Sequence, residues 1–180
     1  LTKDIHKIIN DIQSDNVVII PSDTVYGLSC AISKEAVDKL VSIKKRDISK
    51  GFIIISSEAE HLLKYIDTGN LTQEQIKQIS IFHKEPTTWI VPVKDNIQWL
   101  TGDRDTVAVR LVDNHHVRDI CNRLDSPIIS TSANISGQNF INNAIMIDEI
   151  FSNICILESK IKQSSQQSQI INLVTRTRIR

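Results

Sequence analysis

An α/β domain built around a mixed sheet is the fold class this sequence predicts. Two observations carry that reading: segments with helical apolar spacing intermix with short β-branched runs along the whole chain, and polar residues collect where those runs end. Ile5, Ile8, Ile9 and Ile12 fall at i, i+3, i+4 and i+7, which predicts an amphipathic helix over residues 3–14 with one buried stripe. NVVIIP follows as a short buried strand, and VYGLSCAI, beyond the turn-like PSDT, is a second apolar stretch. Ser33 opens the next helix, in which Ala36, Val37, Leu40 and Val41 share a face. FIIIS at 52–56 is β-branched and bounded by Gly51 and Ser57, hence a strand. Ser57 with Glu60, and later Thr72 with Gln75, have capping-box spacing at the start of two further helices. TTWIVPV and TVAVRL read as strands, VRDICNRL as a helix, PIIS as a strand and NNAIMIDEIF as a helix. NICIL at 153–157 and IINLV at 170–174 complete the strands, while SKIKQSSQQSQ at 159–169 is polar, low in complexity and expected as an exposed loop.

At 180 residues the chain suits a single domain over 1–180, and 41% hydrophobic with 23% charged residues disfavours disorder and fibrous classes. No apolar run approaches the roughly 18 residues of a spanning helix, and the charged, Ile-studded start is no signal-peptide core. A soluble, cytoplasmic protein without a membrane partner is expected. Cys30, Cys121 and Cys155 are far apart and odd in number, which suggests reduced core or near-core thiols and neither disulfides nor zinc. The formal charge is zero but unevenly spread: KKRDISK at 44–50 is basic, and Lys160, Lys162, Arg176, Arg178 and Arg180 follow Glu158 with no acid among them. Two positive segments on a neutral chain suit a phosphate-bearing small ligand better than a general nucleic-acid binder. The second segment by itself reads as a solvated, frayed basic tail.

The common nucleotide and hydrolase motifs are absent, and five glycines leave little room for glycine-rich phosphate loops. Polar residues instead gather at strand ends, in PSDTVYGL at 21–28, IKKRD at 43–47, AVRL at 108–111 and STSANISG at 130–137, where open α/β sheets place ligands. Lys44 and Arg46, two apart where a helix pattern runs out, can project into one crevice from an extended segment and bind a polyphosphate; an exposed basic helix end is the plainer reading. Ser132 and Asn134 can face one ligand if their segment is extended, or simply form a polar turn before a helix. Arg110 inside the apolar VAVRLV calls for an anionic ligand or a buried carboxylate. Adjacent His115 and His116 diverge on a helix, so no metal site is expected, and 4% aromatics supply no stacking platform for single strands.

PSDTVYGLSCAI, IKKRDISKGFIII, LTGDRDTVAVRL and SPIISTSANISG resemble, in order and spacing, the YrdC/Sua5 family of L-threonylcarbamoyladenylate synthases, in its bacterial single-domain TsaC (YrdC) form. The resemblance runs from about residue 15 to about residue 140, with a weaker echo in SQIINLV and the closing RIR. It implies a twisted open mixed sheet with flanking helices and a large positively charged cavity. It also implies formation of threonylcarbamoyl-AMP and pyrophosphate from L-threonine, bicarbonate or CO2, and ATP, for N6-threonylcarbamoyladenosine in tRNA. The family's KxR and SxN signature falls on Lys44, Arg46, Ser132 and Asn134, implying catalytic and nucleotide-binding roles, joined by Thr88 and Thr131 as nucleotide contacts. Thr24, Tyr26 and Arg110 are implied at the threonine pocket. HKEPTT keeps Pro86 and Thr88 of a family pattern but has Glu85 for a glycine and His83 for a tryptophan, and the late family pattern is reduced to Ser168 and Arg180. Magnesium is expected to arrive with ATP, and tRNA and the downstream threonylcarbamoyl transferase complex are further implied partners. An RNA-binding module of the same fold, without synthase activity, and a carbamoyl-transfer domain are the rival readings.

Overall fold

In the computed structural model, which describes residues 1–45, 51–101, 104–139, 141–159 and 166–180, strands and helices intermix as the apolar spacing requires. They run α1 (Ile5–Gln13), β1 (Val18–Pro21), β2 (Tyr26–Cys30), α2 (Lys34–Lys44), β3 (Ile53–Ser56), α3 (Ala59–Leu63), α4 (Gln73–Ile79) and β4 (Thr87–Pro92). Then follow α5 (Gln98–Thr101), β5 (Thr106–Leu111), α6 (His115–Leu124), β6 (Ile128–Ser132), α7 (Ala144–Ile150), β7 (Cys155–Ile156) and β8 (Gln169–Asn172). The strands form one eight-stranded sheet in the order β7-β1-β2-β6-β3-β5-β4-β8. Parallel pairs (β1 with β7, β3 with β5, β4 with β8) mix with antiparallel ones.

Strand alternation sends neighbouring residues to two apolar layers. Val18, Ile20, Ile55 and Ile128 pack with Ile8, Ile9 and Ile12 of α1 and with Val117, Ile120 and Cys121 of α6. Ile19, Leu28, Ile54 and Ile129 face the other way, onto Ala36, Val37 and Leu40 of α2. Each fully buried isoleucine contributes about 1.5–3 kcal/mol, so register is held by both faces at once.

Local chemistry sets most helix ends. Ser33 accepts from the Ala36 amide at 3.1 Å, and Thr72 and Gln75 form a reciprocal capping box at 3.2 and 2.8 Å. The Ser57 box does not form: α3 begins at Ala59 behind an uncapped Glu58, and Ser57 Oγ instead donates to the Val112 carbonyl at 2.5 Å. Ser57 is buried beside the end of β5, so a carbonyl across the sheet outcompetes the local amide. Within the expected 159–169 loop, residues 160–165, including Lys160 and Lys162, lie outside the described residues, while Ser168 is buried and Gln169 already belongs to β8. Residues 175–180 are not a loose tail either. They turn at Arg176 (φ 58°) and run back along β8, with Ile179 N donating to Ile170 O at 2.8 Å and Ile170 N to Arg180 O at 3.1 Å. Among the described residues no helix is long and apolar enough to cross a membrane.

Burial pushes the Cys30 thiol up to about 12 and the Cys121 thiol up to about 11, whereas Cys155 is only partly buried. A thiol-reactive probe should therefore modify Cys155 first in the folded protein and reach Cys30 and Cys121 only on denaturation. Mass mapping of labelled peptides checks this, and equal labelling of all three under native conditions would contradict the buried placement.

Candidate active site

The sheet's own register builds the floor of a cavity of about 340 Å³. Ser130 pairs with Ile53, Ile53 with Ala108 and Ala108 with Ile90, so one row of residues crosses β6, β3, β5 and β4, and all four line the space. Gly27 of β2 extends the floor; a Cβ there would collide with Ser130 Oγ. Among the described lining residues are Arg104, Arg110 and Arg180 and no carboxylate.

One wall is the turn between β1 and β2. Ser22 Oγ donates to the Val25 carbonyl at 2.8 Å and lies 3.1 Å from Thr24 Oγ1, which closes PSDT into a buried hydroxyl turn. From the far side of the sheet, Arg110 Nη1 donates to Thr24 Oγ1 at 3.1 Å, and Nη2 stands 3.1 Å from Asp23 Oδ1. Arg110 is 6% exposed. Its approach to Asp23 is a contact of charges without an aligned N–H, and Arg110 Nε and Asp23 Oδ1 have no hydrogen-bond partner. Burial pushes the Asp23 carboxyl above its ordinary range, with the guanidinium opposing, and lowers Arg110, with the carboxylate opposing. A desolvated, partly neutralised cation in the wall of a cavity without a described carboxylate favours an anion there.

A second buried cation shapes the adjoining wall. Lys44 is the last residue of α2, not part of an extended segment, and is 1% exposed. Its Nζ donates to Ser132 O at 2.6 Å and to Asn134 O and Oδ1 at 3.0 Å each. Ser132 Oγ donates to the same Asn134 Oδ1 at 2.6 Å, and Asn134 Nδ2 donates to Gln138 O at 2.5 Å. The fold thus brings Lys44, Ser132 and Asn134 together, and Ser132 and Thr131 face the cavity while Lys44 and Asn134 brace them from behind. Arg46 lies outside the described residues.

The opposite wall comes from residues 167–180. Ser168 lines the cavity and bonds Thr88, buried behind it, at 2.8 Å between hydroxyls. Arg180 donates through Nε and Nη2 to Ser168 O at 3.1 and 2.9 Å and through Nη1 to Gln167 Oε1 at 2.7 Å. Burial and the like charge of Arg110 both lower its basicity. Tyr26, expected beside the threonine pocket, faces the α2 layer; its hydroxyl accepts from Ser159 N at 3.3 Å. In the variant HKEPTT loop, His83 meets Trp89 edge-on with ring centroids 5.4 Å apart, so the imidazole packs against an aromatic of β4. Among the described residues no group of three or more His, Cys, Asp or Glu is placed to hold a metal. Sequence reasoning passed over Asp23 and Arg104: PSDT reads as a turn, and only the crossing of Arg110 from β5 gives Asp23 a partner.

Two outcomes follow from these buried charges. Lys44→Met keeps the stem but removes the charged donor shared by three carbonyl oxygens, so urea unfolding should lose about 1.5–3 kcal/mol and amides near 132–136 should exchange faster. Because the folded chain binds the Asp23 proton more tightly than the unfolded chain does, this group's contribution is greatest below the ordinary aspartate range. It declines as pH rises through that range toward the raised folded value. Asp23→Asn should remove that slope from stability measured against pH, and parallel curves for the two proteins would contradict the assignment.

The family described as "Telomere recombination", which groups Sua5, YciO and YrdC proteins, matches residues 10–180. A threonylcarbamoyl-AMP synthase of Vibrio campbellii is 38% identical over 138 residues, 76% of this chain and 75% of that protein. One from Wigglesworthia glossinidia brevipalpis is 38% identical over 173 residues, 94% of this chain and 89% of the relative. The crystal structure of P. abyssi Sua5 complexed with L-threonine superposes with a TM-score of 0.84 at 27% identity, over 94% of this chain and 51% of that longer one. The mixed eight-stranded sheet, the cavity on its face and these matches together establish that the chain belongs to the Sua5/YciO/YrdC family.

Proposed function

We propose that residues 1–180 act as one domain and synthesise L-threonylcarbamoyladenylate and pyrophosphate from L-threonine, bicarbonate or CO2, and ATP. The observation that carries the reading is Arg110: a buried guanidinium beside the hydroxyls of the Ser22–Thr24 turn, in a cavity whose described lining holds arginines and no carboxylate. That arrangement suits an amino acid bearing both a carboxylate and a hydroxyl. Support comes from relatives named threonylcarbamoyl-AMP synthase and from the threonine complex of the Sua5 relative.

The chemistry asks for no nucleophile on the protein. The amine of threonine condenses with bicarbonate, releasing water and leaving a carbamate; a carbamate oxygen then attacks the α-phosphorus of ATP, and the bond to pyrophosphate breaks. Arg110 fixes the carboxylate and the Ser22–Thr24 turn reads the hydroxyl, which presents the amine in one orientation. Thr131 and Ser132, braced by Lys44 and Asn134, offer hydroxyls to phosphate oxygens, and Arg46 is assigned to the same phosphates. Ser168, Thr88 and Arg180 form the wall against the nucleotide. Preorganised donors of this kind stabilise charge as it moves onto the leaving group. Magnesium would be brought by ATP and would supply charge neutralisation on the phosphates, and the described cavity lining offers it no carboxylate. The product is a mixed anhydride that a transferase must consume, which makes the threonylcarbamoyl transferase complex and tRNA the downstream partners, in the cytoplasm.

Pyrophosphate release should require ATP, threonine and bicarbonate together. Valine should be turned over poorly, by a factor of up to ~10⁴, because a site that hydrogen-bonds a hydroxyl rejects an analogue lacking it. Serine, short of one methyl group, is the harder competitor, by about 1–3 kcal/mol. Arg110→Ala should raise the KM for threonine while calorimetry finds ATP affinity nearly unchanged. RNA binding without threonine-dependent pyrophosphate release would replace this reading with that of an RNA-binding module.

A further inference from the structure

Of the three described arginines that line the cavity, Arg180 is engaged through all its nitrogens and Arg110 through its terminal ones. Arg110 spends Nη1 on Thr24 and Nη2 on Asp23, and Arg180 spends its whole fork on Gln167 and Ser168. Arg104 differs. Its Nε donates to Thr101 O at 3.2 Å, and Thr101 Oγ1 donates back to Arg104 O at 2.8 Å, which fixes the root of the side chain. Among the described residues neither terminal nitrogen of Arg104 has an acceptor. The guanidinium lies against Gly51, where a Cβ would stand 2.5 Å from Nη2 and 2.9 Å from Nη1, and the positive φ of 64° there suits glycine.

Register locates that guanidinium. Ile53 pairs with Ser130 across the antiparallel β3 and β6, and continuing the same register past the strand end brings Gly51 level with Ser132. The free fork of Arg104 therefore belongs to the end of the cavity that carries Ser132, whereas Arg110 starts level with Ile55, four residues further along β3. Arg110 is buried and Arg104 is exposed, so a line from one to the other runs from the cavity's depth to its mouth.

We propose that Arg104 is the ligand for the leaving pyrophosphate, the β and γ phosphates of ATP, an inference that rests on the synthase reading above. Once the threonine carboxylate is held at Arg110, the α-phosphate must lie within reach of the carbamate beside it. The β and γ phosphates then extend away, toward the mouth and the unoccupied fork. A guanidinium binds such oxygens in pairs, which an ammonium cannot do, and charge grows on them as the α–β bridge breaks.

The test is calorimetric titration of the full chain, as parent, Arg104→Ala and Arg104→Lys, with ATP, AMP, inorganic pyrophosphate and threonine. Arg104→Ala should weaken ATP and pyrophosphate binding roughly ten- to hundredfold, the scale of a lost charge-assisted contact, while AMP and threonine bind as to the parent. Arg104→Lys should recover only part of the loss. Retained threonine affinity reports that the variants are folded. Parent-like ATP and pyrophosphate binding by Arg104→Ala overturns the assignment of Arg104 and leaves the synthase reading intact. AMP affinity falling as far as that of ATP also overturns it, because Arg104 would then serve the adenylate portion. A parent that binds no ATP removes the synthase reading, and the assignment falls with it.

Discussion

Arg110 reaches from the far end of β5 to the turn between β1 and β2 and so joins parts of the chain that lie three strands apart in the sheet. A guanidinium at that depth is costly unless it is neutralised, and Asp23 with Thr24 supplies the neutralisation only on its terminal nitrogens. Arg110 lines a cavity whose described lining contains no carboxylate. Folding therefore leaves the guanidinium only partly neutralised at the wall of that cavity. The position of the 22–25 turn, the shape of the cavity wall and the electrostatic demand on any ligand follow from this contact.

Lys44 solves a different problem with the same kind of charge. Its ammonium is saturated by three acceptors on residues 132 and 134, which leaves it a clamp on the segment that presents Thr131 and Ser132. Its place at the last turn of α2 is also where a cation meets the negative end of the helix dipole. The fold neutralises Arg110 only in part and saturates Lys44. The arrangement concentrates like charge, and Arg180 feels Arg110 as a repulsion that an anionic ligand would relieve.

The return of residues 175–180 along β8 turns a stretch of basic residues into part of the cavity wall. Backbone hydrogen bonds to Ile170 carry that segment, and the guanidinium of Arg180 then finds the Ser168 carbonyl. A charge block that is polar in isolation is ordered here because a strand edge offers it partners, as edges do.

Much of this architecture was written locally. The i, i+3, i+4, i+7 isoleucines of α1, the β-branched run of β3, the Ser33 cap and the Thr72 capping box follow from spacing and short-range hydrogen bonding, which any contiguous stretch of sequence records. The ordered motifs likewise identified the family and assembled Lys44, Ser132 and Asn134 in one place. Tertiary structure alone decided that Ser57 bonds Val112 instead of capping α3, that Tyr26 turns to the α2 layer, and that Asp23 meets Arg110. It also decided that Arg104 comes to stand over Gly51. Each of these joins residues far apart in the chain, and their partners are fixed by strand order and register, which depend on the whole sheet closing at once and leave no periodic or short-range mark in the sequence.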